Sequence, residues 1–168
     1  IIVDMGTIWL FYLILKHRQL PIYHLLLYAW HPLVVIEFSG SGHQDIIGIF
    51  FLTGCLYFWQ QRKLWKSSLM LSASVLTKFF PAMLFPLLLR KKSKWPYALL
   101  AVFTIGLYLP FYTPDMHLFR ALTNYSKYWY ANDSIFFLFR LLWQNTWTGR
   151  IVIAAIFAGI YAYAYWKI

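Results

Sequence analysis

Two stretches of this chain, Ile46–Trp59 and Ala98–Tyr112, carry no charged residue. Few environments accept such runs. A helix that crosses a bilayer needs about 20 predominantly apolar residues, and most of this chain is built from segments of that kind. Hydrophobic residues make up 61% of the sequence and charged residues 12%, against about 25% charged in a soluble domain. The composition predicts an all-α protein: a polytopic transmembrane helix bundle, with residues 1–168 forming one domain and including a re-entrant helix pair. It predicts an integral, multi-pass membrane protein, of the plasma membrane in a prokaryote or the endoplasmic reticulum in a eukaryote.

The charges that remain are grouped. The formal net charge is +10, and the basic residues cluster at Lys16-His17-Arg18, at Arg62-Lys63 with Lys66, and at Arg90-Lys91-Lys92 with Lys94. These clusters fall between apolar runs, as cytoplasmic loops do under the positive-inside rule. The charge therefore reads as topology and not as a nucleic-acid footprint. Cys55 stands alone in an apolar run, so there is no disulfide framework. The chain opens inside an apolar run, Ile1-Ile2-Val3, without a signal-peptide pattern, and reads as part of a longer protein.

In chain order, residues 1–15 form a first span with Asp4 inside it, where an acid marks a functional site or a packing contact. Residues 20–36 form the second, with His24 and His31 on one face and a kink or stop at Pro32. A third runs over 46–61. Residues 67–89 are long enough to cross, but a single crossing would put Arg90–Lys94 on the outside. A re-entrant pair keeps both basic loops on one side: 67–79 goes in, the chain breaks near Pro81, and 82–89 returns. Residues 95–113 and 151–166 complete the spans. Residues 114–134 are amphipathic and rich in Tyr and Trp, which suits a helix lying along the outer surface.

The stretch Trp30–Asp45 gathers His31, Glu37, His43 and Asp45 around a small-residue turn, in a chain with five acids in all. The alternation of spans places this turn outside. Carboxylates there can act as general bases or hold a divalent metal, so Glu37, His43 and Asp45 are the catalytic candidates. Asp45 also suits an N-cap of the third span. His24 and His31 could be metal ligands, but no third ligand of suitable spacing lies near them in sequence. The 114–134 segment lies on the same side and offers Arg120, Lys127, Trp129 and Asn132. Cations neutralise a phosphate leaving group, and aromatic rings stack on sugar faces. Lys78, deep in an apolar segment, suits an anionic head group; its plain alternative is an ion pair, for which Asp4 is a partner. Together these residues suit transfer of a group from a lipid phosphate to a hydroxyl.

In order and spacing, three groups of residues resemble the GT-C class of membrane glycosyltransferases. They are Pro32-Leu33-Val34-Val35-Ile36-Glu37 running into Ser41-Gly42-His43-Gln44-Asp45, then Lys78-Phe79-Phe80-Pro81 with Pro86, then Tyr125 through Trp129 to Asn132. Nearest are the polyprenol-phosphate-mannose-dependent mannosyltransferases and the glycosyltransferase family 87 group. The resemblance implies a polyprenyl-phosphate sugar donor, a glycan or glycolipid acceptor, and inversion at the sugar carbon on the non-cytoplasmic face. It implies a catalytic base in an acidic external loop preceding Ile1, with Glu37, His43 and Asp45 then lining the substrate site. Two other classes fit parts of the pattern. A transporter or flippase for lipid-linked sugars shares the broken helices and buried charges, but no internal repeat is visible. A non-catalytic membrane subunit would use the aromatics as an interface belt, and leaves Glu37, His43 and Asp45 unexplained.

Overall fold

The computed structural model describes residues 1–40, 43–89, 95–112, 120, 123–124 and 146–167. All regular structure among them is helical, with no strand. The chain divides into two compact units, Ile1–Phe111 and Tyr112–Ile168. In the second unit the described structure is mainly one helix, Thr146–Lys167, which is α7 here. Its part Thr148–Lys167 is long and apolar enough to cross a membrane.

The first unit is built on α1 (Ile2–His17), α3 (Asp45–Gln60), α4 (Leu64–Thr77) and α6 (Trp95–Tyr108). The apolar runs Asp45–Gln60 and Ala98–Phe111 are helical but shorter than a full crossing. Helix α1 runs parallel to α3. A Cβ on Gly6 would meet the Phe50 ring at 2.9 Å, and Gly54, one turn further on, faces Leu10. Helix α4 turns back against α3 through Gln61–Lys63, where Arg62 adopts φ 59°.

Serine hydroxyls hold α4 in the middle. Ser67 Oγ donates to Cys55 O at 3.0 Å, and Ser74 Oγ to Gly48 O at 2.8 Å; these two are seven residues apart and face α3. Ser68 Oγ donates to Pro96 O at 3.5 Å, and Ser72 Oγ to Leu100 O at 3.3 Å; these two are four apart and face α6. The spacings are those of a helix face. Because Pro96 lies level with Ser68 and Leu100 with Ser72, α6 runs parallel to α4. Nothing in the sequence reading had assigned these serines a role; the signal was four hydroxyls within Ser67-Ser68-Leu69-Met70-Leu71-Ser72-Ala73-Ser74.

The chain must therefore return between α4 and α6, and it does. After Thr77 the backbone is extended at Lys78 (φ −149°, ψ 138°). A 3-10 turn, Phe80–Met83, and a short α5, Leu84–Leu89, follow, with Pro81 buried in the bend. Phe85 packs on Cys55, Leu71 and Val75, and Leu88 O accepts from Trp59 Nε1 at 2.7 Å. Trp59 sits in the last turn of α3, so Leu88 is back at the end where α4 began. Arg90–Lys94 lie outside the described residues, but Leu88 and Pro96, on either side of them, are both at this end.

The stretch expected as a second span over 20–36 is broken. It consists of a 3-10 turn at Ile22–Leu25, a single α turn α2 (Leu26–Ala29), and a π-helix Val34–Gly40. Pro32 interrupts it as expected, lacking the N–H that would continue the ladder. His31 Nδ1 accepts from the Leu33 N–H at 3.3 Å and so takes up a donor at the restart. Tyr28 ties the stretch to α1: its hydroxyl donates to Asp4 Oδ1 at 3.0 Å, and its ring meets Phe11. Val34 and Phe38 close on Ile46, with Val3 beside them.

The unit buries small polar side chains beside its apolar core, and leaves many large apolar ones outside. Thr7, Ser72 and Ser74 are fully buried, whereas Trp9, Leu27, Val102 and Ile105 are each at least 60% exposed. Helices in lipid associate through small residues and interhelical hydrogen bonds, since the surrounding tails are as apolar as leucine.

Candidate active site at the acidic end

The helix directions define two ends of the Ile1–Phe111 unit. Lys16–Arg18 close α1, and Arg62, Lys63 and Lys66 flank the α3–α4 turn. Since α1 and α3 are parallel, these clusters share an end. The opposite end holds the start of α3, the end of α4 and the π-helix. All three described acids lie in that half: Asp4 in the first turn of α1, Glu37 in the π-helix, and Asp45 in the first turn of α3.

Two ion pairs form there. Lys78 Nζ lies 2.6 Å from Asp45 Oδ1, and His43 Nε2 lies 3.4 Å from Glu37 Oε2. The first pair joins residues far apart in sequence, and helix lengths bring them level. With Cys55 opposite Ser67 and Gly48 opposite Ser74, Asp45 falls opposite the last turn of α4. The break after Thr77 then frees Lys78 to reach it. The second pair is local: the His43 N–H donates to Glu37 O at 3.2 Å, closing the chain between π-helix and α3.

These findings revise several expectations. Lys78 is paired with Asp45, while Asp4 is taken by Tyr28. Lys78 is also half-exposed, at 50% of its side chain. Asp45 does not cap α3; Gln44 holds the cap position without a side-chain bond, and the Asp45 carboxylate turns to Lys78 instead. Gly40 is not in a left-handed conformation; it ends the π-helix, and Gly42 lies outside the described residues. His24 and His31 do share a face, lining one apolar pocket with Tyr28. No cluster of three metal-ligating side chains occurs among the described residues.

Of the eight sequence candidates, the structure brings four together: Glu37, His43, Asp45 and Lys78. Arg120 is described as helical and exposed, in the second unit. Lys127, Trp129 and Asn132 lie outside the described residues, as does most of 114–134.

The magnitudes separate structure from chemistry. Both pairs are more than a third exposed, so screening holds each to about 0–1 kcal/mol of stability. The fold does not depend on them. What they provide is a cation and an imidazole held beside carboxylates at one end of an apolar bundle. A phosphate can exchange with Asp45 for Lys78, and a hydroxyl proton can pass to a carboxylate there.

Comparison with family models, with curated proteins and with solved structures produced no match.

Proposed function

We propose that this chain is part of a multi-pass membrane glycosyltransferase of the GT-C type. It moves a sugar, with mannose the first choice, from polyprenyl phosphate to a glycan or glycolipid acceptor on the non-cytoplasmic face. The observation that carries this reading is the meeting of Lys78 with Asp45, next to Glu37 and His43, at the end opposite the basic clusters. An unpaired ammonium at the centre of a bilayer costs about 2.5–3.5 kcal/mol on insertion scales. A paired one at the end of the bundle escapes that cost and remains available to an anionic head group.

In this reading Lys78 binds the donor phosphate, while Arg120, Lys127, Trp129 and Asn132 stay candidates from the sequence alone for cation and sugar contacts. The acceptor oxygen attacks the anomeric carbon, and the bond from that carbon to the phosphate oxygen breaks. Polyprenyl phosphate leaves with the electron pair, and the hydroxyl proton passes to a carboxylate, which Glu37 offers within this chain. The configuration inverts. Where another acid serves as the base, Glu37, His43 and Asp45 orient the acceptor. Two carboxylates near a phosphate also suit a divalent metal, although the described residues offer no three-ligand set.

The multi-pass placement has its own support. Large apolar side chains face outward along α1 and α6, and the chain returns between α4 and α6. Segment 67–89 then acts as a re-entrant pair, and a reporter tag after Lys92 is expected on the same side of the membrane as Lys63. Function is tested with the full-length protein in sealed vesicles and a labelled polyprenyl-phosphate sugar. Transfer of label to an acceptor supports the proposal. Passage of intact donor across the bilayer would make the protein a flippase, and neither result would overturn both readings.

A further inference from the structure

An open groove of about 350 Å³ lies between α1 and the broken stretch that follows it. Phe11 and Leu15 form one wall, and Leu25, Leu27 and Val34 the other. Its surface is almost wholly carbon. The two histidines that reach it turn their Nδ1 atoms to the backbone: His24 toward Pro21 O at 3.0 Å, and His31 toward the Leu33 N–H. Hydrocarbon, and not a polar ligand, fits such a wall.

Arg18 is not among the residues lining the groove, but it follows the Leu15 wall on the same helix face. Phe11, Leu15 and Arg18 stand at i, i+4 and i+7, which is one face of a helix. Arg18 caps α1 in helical conformation (φ −85°, ψ −3°), so this register holds to the last residue. Lys16 falls on a different face, with its ammonium over the Tyr12 ring at 5.9 Å. No described acid lies at this end of the unit to take up the Arg18 charge. A carbon-lined groove with an exposed arginine one helical turn beyond its Leu15 wall is complementary to a molecule with a hydrocarbon tail and an anionic head.

We propose that this groove holds one acyl chain of an anionic glycerophospholipid from the cytoplasmic leaflet, with its phosphate on Arg18. Arginine suits that role because its planar fork meets two phosphate oxygens at once. The site is separate from the Lys78–Asp45 end and rests on the membrane placement proposed above, not on the sugar-transfer activity. The lipid fills the gap that the broken 22–34 stretch leaves against α1.

The test uses the full chain in nanodiscs of mixed phosphatidylcholine and phosphatidylglycerol, with retained lipids counted by native mass spectrometry. Phosphatidylglycerol is expected to stay bound in preference to phosphatidylcholine. Arg18→Gln is expected to reduce that preference about tenfold, the loss of a charge-assisted hydrogen bond to the phosphate. Arg62→Gln removes the same charge at the same end but from the α3–α4 turn, away from the Leu15 face, and is expected to lower the preference by clearly less. Leu25→Trp, which fills the groove, is expected to abolish retention of both lipids. Equal retention by the wild type, or equal losses from Arg18→Gln and Arg62→Gln, would overturn the lipid site alone. A protein that fails to enter nanodiscs would overturn the membrane placement beneath it as well.

Discussion

The two ends of the Ile1–Phe111 unit treat charge in opposite ways. At one end the lysines have aromatic company: Lys16 lies over Tyr12, and Lys66 over Phe58 and Trp65. No described acid is near them. At the other end a cation and an imidazole each meet a carboxylate. Cations over rings, at the end of an apolar bundle, are what a protein needs to stay oriented in a membrane. Opposed charges drawn from separate elements, worth little as stability, are what a site for a charged substrate needs. The contrast teaches that the net charge of +10 is not one property. Within this unit the described cations over aromatic rings are at one end, and at the other Lys78 sits against a carboxylate.

The sharpest way to break this comparison is to neutralise that lysine. Lys78→Gln is expected to lower sugar transfer about a hundredfold, the usual cost of removing one group that stabilises developing charge. Its thermal midpoint in detergent should barely move, since the exposed pair contributes at most about 1 kcal/mol. Asp45→Asn is expected to cost at most about fivefold in the same assay, the kinetic weight of the roughly 1 kcal/mol that the exposed pair can contribute to positioning Lys78.

Between the ends, the serine contacts decide whether the two can be told apart at all. Ser72 is fully buried and donates to both Ser68 O and Leu100 O. Ser72→Leu is expected to destabilise the unit by about 1–3 kcal/mol through overpacking, read by denaturant unfolding in detergent. Tyr28→Phe leaves the buried Asp4 without the hydroxyl donor and is expected to cost about 1–3 kcal/mol in the same measurement. The smallest effect belongs to the basic end. Lys66→Gln is expected to change stability by less than about 0.5 kcal/mol and to leave transfer unchanged.

How much of this could be read in advance varies by element. The charge rule favours a reversal near Pro81 over a single crossing; the described helices do reverse there and put Lys16–Arg18 and Arg62–Lys66 at one end, while Arg90–Lys94 lie outside the described residues. The Lys78–Asp45 pair was legible in principle. Counting outward from the turn at Arg62-Lys63 brings the two nearly level, but it requires knowing that α3 and α4 pack as an antiparallel pair. Without that, Asp4 was as good a partner as any. The serine contacts were not anticipated, because α4 buries its serines beside Leu71 and Val75, and apolar periodicity does not tell a buried serine from a solvated one. The break over 20–36 was half legible. Pro32 announced it, but the 3-10 and π turns on either side follow from how Tyr28 and Val34 dock on α1, which is tertiary information.

The most direct measurement of the central claim is which way the two ends face. Cys55 is buried and is the chain's one cysteine, so single-cysteine variants are made on a Cys55→Ser background. His43→Cys reports the acidic end and Lys63→Cys the basic end. Each full-length variant is placed in sealed vesicles and treated with a membrane-impermeant maleimide, before and after the vesicles are opened. The account predicts that the two positions label from opposite sides, with position 63 on the cytoplasmic face. Labelling of both from the same side would contradict it, and the site at Lys78 and Asp45 would lose its place on the outer surface.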